Sequence, residues 1–163
     1  MFAGFDAFTW FHTILSIIAL IAGAIAVKGL LESRVTPIWT EIYLITAVLT
    51  SATGFLFPGP FFPFTPAKIV GTICLILLAI ALLGLYAFKL RGPWRWLYVV
   101  GIVVSTYFDY FVLVAQAFNK VPALQALAPT QSEPPFAIAE VIVLAIFAWL
   151  TVQAVRKFHP PTA

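Results

Sequence analysis

The chain has 163 residues, 63% of them hydrophobic and only 9% charged, with a mean hydropathy of +1.06, against about 25% charge in soluble domains. That composition excludes an ordinary soluble fold and predicts an integral membrane protein. The formal charge of +3 is small. The nine Lys and Arg sit at the ends of apolar runs rather than along one stripe, which excludes nucleic acid as a partner and makes the lipid bilayer the expected surroundings.

In chain order, the first apolar run, near residues 8–27, is preceded by Asp6 and no Lys or Arg, and is followed by Lys28. It lacks the basic start and shorter core of a signal peptide, so it is expected to remain as a span. One face carries His12, Ser16, Ala19, Gly23 and Ala26, small residues that let helices approach closely. The second run, near 38–57, places Thr50, Thr53 and Gly54 on one stripe and Glu41 on the opposite face. FPGPFFPFTP then alternates proline with phenylalanine, which rules out a regular helix and suits the headgroup level. The third run, near 67–88, contains ICLILLAIALL and is expected to be the most lipid-exposed or partner-facing helix. The fourth covers 94–118. PALQAL in the next connection reads as a short interfacial helix, and Ser132 and Glu133 as start signals for the fifth run, 136–155. The expected fold is therefore all-α: one transmembrane helical bundle over 1–163, with five spans. Cys74, the single cysteine, excludes an intramolecular disulfide and reads as a small apolar filler.

Lys28, Arg34, Lys89, Arg91, Arg95, Arg156 and Lys157 fall at one end of these runs, and Lys68 and Lys120 at the other. By the positive-inside rule the N-terminus is outside and the C-terminus inside. Trp39, Trp94 and Trp96 at inner ends and Trp10 at an outer end match interfacial aromatic belts.

The fourth run holds an acid, Asp109, within STYFDYFVLVAQAFN. A carboxylate at a helix centre costs roughly 2.5–3.5 kcal/mol on an insertion scale, so it needs surroundings that justify it. At 100° per residue Tyr98, Gly101, Ser105, Asp109, Val112, Gln116 and Asn119 share an arc of about 80°. Trp96, Val103, Tyr107, Tyr110, Val114 and Phe118 lie opposite and suit lipid. The polar seam should face other helices.

Counted at about 1.5 Å per residue, His12, Gln116 and Glu140 lie within one or two turns of the outer boundary, with Asp109 deeper. The candidate binding residues are accordingly Asp109, Gln116, Glu140, His12, Ser16, Ser105, Thr50 and Thr53, lining an outward-opening pocket. The inner halves of the first and third runs contain no ionisable group, which weighs against a continuous proton or ion path. No catalytic residues, metal site or cofactor are expected. The second histidine, His159, lies beyond the last run and cannot match His12 in a bis-histidine haem. His12, Glu140 and Asp109 differ too much in depth to share one ion.

TSATGFLFP, GPWRWLYV and VPALQALAPTQSEPPF resemble segments of small multi-span bacterial integral membrane proteins. That resemblance implies a bacterial cytoplasmic membrane and carries no activity. The tryptophan-rich sensory and translocator proteins are similar in size only, since their WNPP-type signature is missing here. The expected function is a binding or accessory protein for a small hydrophobic or amphiphilic ligand. The alternatives are a proton-coupled transporter or channel acting as a homo-oligomer, with Asp109 as coupling acid, and a non-catalytic subunit of a larger membrane complex.

Overall fold

The computed structural model describes residues 6–59 and 64–161, and among these the structure is helical with no strand. The helices are α1 (Ala7–Leu31), α2 (Pro37–Gly54), α3 (Pro66–Leu82, continued by one π-helical turn, Leu83–Ala87), α4 (Trp94–Lys120), α5 (Pro122–Leu127) and α6 (Pro134–Lys157). Their boundaries have local causes. Asp6 caps α1 by accepting from the Thr9 N–H at 2.8 Å, and Thr65 caps α3 in the same way through Lys68 N–H. Pro opens α2, α3, α5 and α6, where its missing N–H costs nothing. PALQAL is the short helix its sequence suggests. Residues 60–63 of the Pro/Phe connection lie outside the described residues.

Four helices, α1, α3 with its π turn, α4 and α6, are long and apolar enough to cross a membrane. α2 is the exception to the five expected spans on those grounds. Its 18 residues include Glu41, four threonines and Ser51, which dilute its hydropathy.

Helices α1, α2, α3 and α4 form a ring in which each packs on the next and α4 closes on α1. α6 lies outside the ring against α4 and α1. This changes two expectations. The α4 face that suited lipid is the α6 interface: Phe118 meets Phe136, and Tyr107 and Tyr110 meet Phe147, with ring centroids 5.4–5.9 Å apart. The most peripheral helix is α6 and not α3. α3 buries Lys68, Cys74, Leu78 and Ala81 between its neighbours, whereas α6 buries only Glu140 and Ala154 and exposes Val141, Ile142, Leu144 and Trp149. An all-apolar sequence does not separate a helix facing lipid from one facing helices, since both surroundings are equally apolar.

The ring closes tightly at two glycines. A Cβ on Gly101 would lie 2.8 Å from the Leu77 carbonyl oxygen, and one on Gly23 would lie 2.9 Å from the Tyr43 ring. Gly101 thus sets the α3–α4 approach. Gly23 makes room for the one large side chain that crosses from α2. The apolar core lies toward the end carrying most of the Lys and Arg, with Ala26, Leu30, Leu44, Leu78, Ala81, Val99, Ile102 and Phe158 at its centre. At that basic end the termini of three helices are tied together. Arg95 donates to the Phe158 carbonyl and the His159 N–H donates to Ser33 Oγ, both at 2.7 Å.

Candidate functional site

The far half of the ring, away from the basic end, holds most of the candidate residues, and α4 supplies its deepest acid. Ser105 is buried and Asp109, one turn on, is half-buried. Across the ring Tyr43 of α2 reaches both: its hydroxyl is 2.7 Å from Ser105 Oγ and donates to Asp109 Oδ2 at 3.3 Å. Ser105 also donates to the Gly101 carbonyl at 2.6 Å. Three side-chain oxygens and a carbonyl therefore stand in a row, Asp109, Tyr43, Ser105 and Gly101. Tyrosine and serine each have one hydroxyl proton. In one arrangement Ser105 donates to Gly101 and Tyr43 divides its proton between Ser105 and Asp109. In the other, Ser105 donates to Tyr43 and Tyr43 to Asp109. The row can point either way.

Nearer the far end, His12 Nδ1 and Thr53 Oγ1 are 2.9 Å apart, joining α1 to α2. Thr53 spends its proton on the Leu49 carbonyl at 2.6 Å, so it accepts from histidine and the imidazole proton belongs on Nδ1. Nε2 then remains an acceptor. Phe57 packs edge-on against the same ring at 5.0 Å. Ser16 donates to the His12 carbonyl at 2.8 Å, a bond within its own helix. The Thr50 hydroxyl is buried with no hydrogen-bond partner among the described residues.

The structure brings Asp109 and Ser105 together, and His12 with Thr53, but it sets Glu140 apart. Phe136, Glu140 and Phe147 share the α6 face that packs on Tyr107, Tyr110 and Phe118 of α4, at the side of α4 opposite Ser105 and Asp109. Glu140 is 8% exposed, and among the described residues neither carboxylate oxygen has a hydrogen-bond partner. Gln116 is exposed on the last turns of α4. The seam that is fully buried at Tyr98, Gly101 and Ser105 is thus uncovered by the described residues from Val112 onward.

Sequence reasoning missed Tyr43, the residue that links the two sides of the ring. Its signal was present, because Tyr43, Ala47, Thr50 and Gly54 fall on one stripe of α2. Tyr43 stands between Ile42 and Leu44 in an apolar run, which conceals it. Two surface grooves of about 260 and 280 Å³ lie between helices, and neither is lined by a candidate residue. Among the described residues no three His, Cys, Asp or Glu side chains gather as a metal-ligand group.

Outside the spans, Glu133 accepts from the Thr130 hydroxyl at 2.7 Å and from the Thr130 and Ser132 N–H groups. The Thr130 hydroxyl bond, supplemented by these amides, holds its carboxyl below the ordinary value. It locks the turn before α6 instead of bonding into the helix. Compared with family models, curated proteins and solved structures, the chain matches none.

Proposed function

We propose that this is a five-span membrane protein, N-terminus outside and C-terminus inside, that binds a small or amphiphilic ligand through the far half of its ring. By the resemblance of its connecting segments its membrane is a bacterial cytoplasmic one. α2 counts as the fifth span because its 18 residues extend about 27 Å, close to the ~30 Å of a hydrocarbon core. Its Ile38, Ile45 and Leu49 are exposed, as lipid contact requires. The orientation rests on the seven-to-two division of basic residues.

The observation that carries the ligand reading is unused hydrogen-bonding capacity. Asp109 receives one long bond from Tyr43 where an ionised carboxylate has about four acceptor sites, and the Thr50 hydroxyl has no partner. The buried Thr50 hydroxyl left so costs about 1–3 kcal/mol. A ligand bringing hydroxyl or amine donors on an apolar body would recover that cost. His12 and Thr53 stand above, Gln116 at the rim, with Ser16 and Ser105 completing the walls. A second reading, proton coupling, has the reversible row from Asp109 to Gly101 in its favour. Against it, the core beyond Ser105 is closed by Leu78, Val99 and Ile102, which leaves proton transfer no route onward.

Single cysteines in a Cys74→Ser background test both parts. An impermeant thiol reagent added outside should label Gln125→Cys and Thr50→Cys, while Arg91→Cys reacts only from the other side and Ile45→Cys, facing lipid, hardly at all. If Thr50→Cys is as unreactive as Ile45→Cys, no aqueous pocket reaches Asp109. If Gln125→Cys and Arg91→Cys react from the same side, the topology is wrong.

A further inference from the structure

The trough between α1, α4 and α6 is a second site, on a face of α4 next to that of Asp109 and toward the basic end. It holds about 260 Å³ and is walled by Ala24 and Val27 of α1, Thr106 of α4, and Phe147 and Leu150 of α6. Tyr110 closes it at mid-bundle. Its hydroxyl donates to the Leu20 carbonyl at 3.2 Å, and its ring packs on Phe147 at 5.4 Å. The trough's α1 wall runs from Ala24 to Leu31 and includes Lys28, a length of about 10 Å. It is therefore a slot, blind at one end and cationic at the other.

The charges at the mouth select an anion. Lys157 lies seven residues beyond Leu150, hence on the same stripe of α6, and is exposed. Val27 and Leu150 both wall the trough, and Lys157 lies about 10 Å further along α6 than Leu150. Both walls end in an ammonium. The nearest acid, Glu32, is committed to Arg34, whose Nε donates to it at 2.7 Å and whose Nη2 reaches the same oxygen. Lys28 holds that carboxylate only at 3.9 Å. The bond between His159 and Ser33 ties the chain leaving α6 to the turn leaving α1, which keeps the two walls together where the lysines emerge.

We propose that this trough takes one acyl chain of an anionic phospholipid from the leaflet at the basic end, with the lipid phosphate between Lys28 and Lys157. The slot lies in a helix-to-helix crevice open sideways to lipid, and its volume falls below the ~300–1,000 Å³ that encloses a drug-sized ligand. The part of a hydrocarbon chain nearest the headgroup fits both its length and its apolar walls. Lysines that bury their stems along apolar surface and keep their heads at the headgroup level are matched to a phosphate there. The site is independent of the Asp109 pocket and uses none of its residues.

The test is native mass spectrometry of the full chain released from neutral detergent after titration with phosphatidylglycerol or phosphatidylcholine. One phosphatidylglycerol should be retained preferentially. Lys28→Gln together with Lys157→Gln should bring its retention down to that of phosphatidylcholine, about fivefold for each lysine. Ala24→Phe, at an exposed position, should fill the slot and lose both lipids, and Leu150→Phe should do the same from the other wall should the first variant fail to fold. Ile146→Phe, on the outward face of α6, should change nothing. Equal retention of the two lipids by the unaltered chain overturns the proposal. So does unchanged retention by the slot-filling variants, a loss of the same size with Ile146→Phe, or a dimer that excludes lipid.

Discussion

The basic half and the far half of the bundle bury different things. In the basic half Ala26, Leu30, Leu44, Leu78, Ala81, Val99 and Ile102 fill the ring, and glycine lets α4 approach α3 to within contact of the backbone. In the far half the buried set includes Ser51, Lys68 and Glu140, together with an unbonded Thr50 hydroxyl. Packing in a membrane gains nothing from hydrophobic transfer, because lipid is as apolar as the side chains, so helix association depends on close approach and on hydrogen bonds. The basic half is built on close approach. The far half relies on a few hydrogen bonds and, among the described residues, leaves the side chains of Thr50 and Glu140 without partners, which is what a stable half supporting an adaptable one would require.

The largest effect should come from the basic half. Gly101→Leu places carbon where only 2.8 Å separates a Cβ position from the Leu77 carbonyl, a backbone atom that cannot swing aside. Overpacking typically costs about 1–3 kcal/mol, and with backbone on one side the loss should reach at least the upper end. Thermal unfolding in detergent would measure it. A variant as stable as the parent would mean that α3 and α4 do not meet at Gly101.

In the far half, the two acids should respond oppositely to the same substitution. Glu140 has no partner, so Glu140→Leu should stabilise the chain by about 1–3 kcal/mol, the cost of an unsatisfied buried group. Asp109→Leu deletes the bond to Tyr43 and should destabilise by about 0.6 kcal/mol, up to ~1.7. Asp109→Asn keeps an acceptor for Tyr43 and should fall between. A destabilised Glu140→Leu would mean that this acid is held by a partner, and the contrast between the two halves would narrow to Asp109 alone.

Much of this was legible in the residues. The helical class, α5 and the inner role of α1 follow from periodicity and from the small residues Ala19, Gly23 and Ala26, and Asp109 was conspicuous because an acid inside an apolar run carries a cost. The ring order was not legible. Tyr107, Tyr110 and Phe118 suit lipid and a neighbouring helix equally well, and only the partner aromatics Phe136 and Phe147 on α6 decide between them. Counting residues places Glu140 near the outer boundary and Asp109 deeper, but depth says nothing of azimuth, and the two acids lie at different faces of α4.

The smallest effect belongs to the turn that delivers α6, and its sign is fixed by the hydrogen bonds of Glu133. The Thr130 hydroxyl and the neighbouring amides hold its carboxyl below the ordinary value of 4.5. A group lowered on folding contributes stability that is present above 4.5, begins to be lost as pH falls through that value, and is gone once pH passes below the lowered one. The parent chain should therefore exceed Glu133→Gln in thermal stability at pH 6, and the gap should narrow as pH falls below 4.5. Asp6 obeys the same rule at α1, since the Thr9 N–H lowers it from 3.8, so its loss comes at lower pH. Both groups are exposed, and the difference should be a degree or two in Tm, as surface charges give. If the gap between parent and Glu133→Gln is as wide at pH 3 as at pH 6, the Thr130 and Ser132 bonds do not hold the ionised carboxylate, and the turn is secured by the Gln131 side chain, which donates to the Ala115 carbonyl at 2.7 Å.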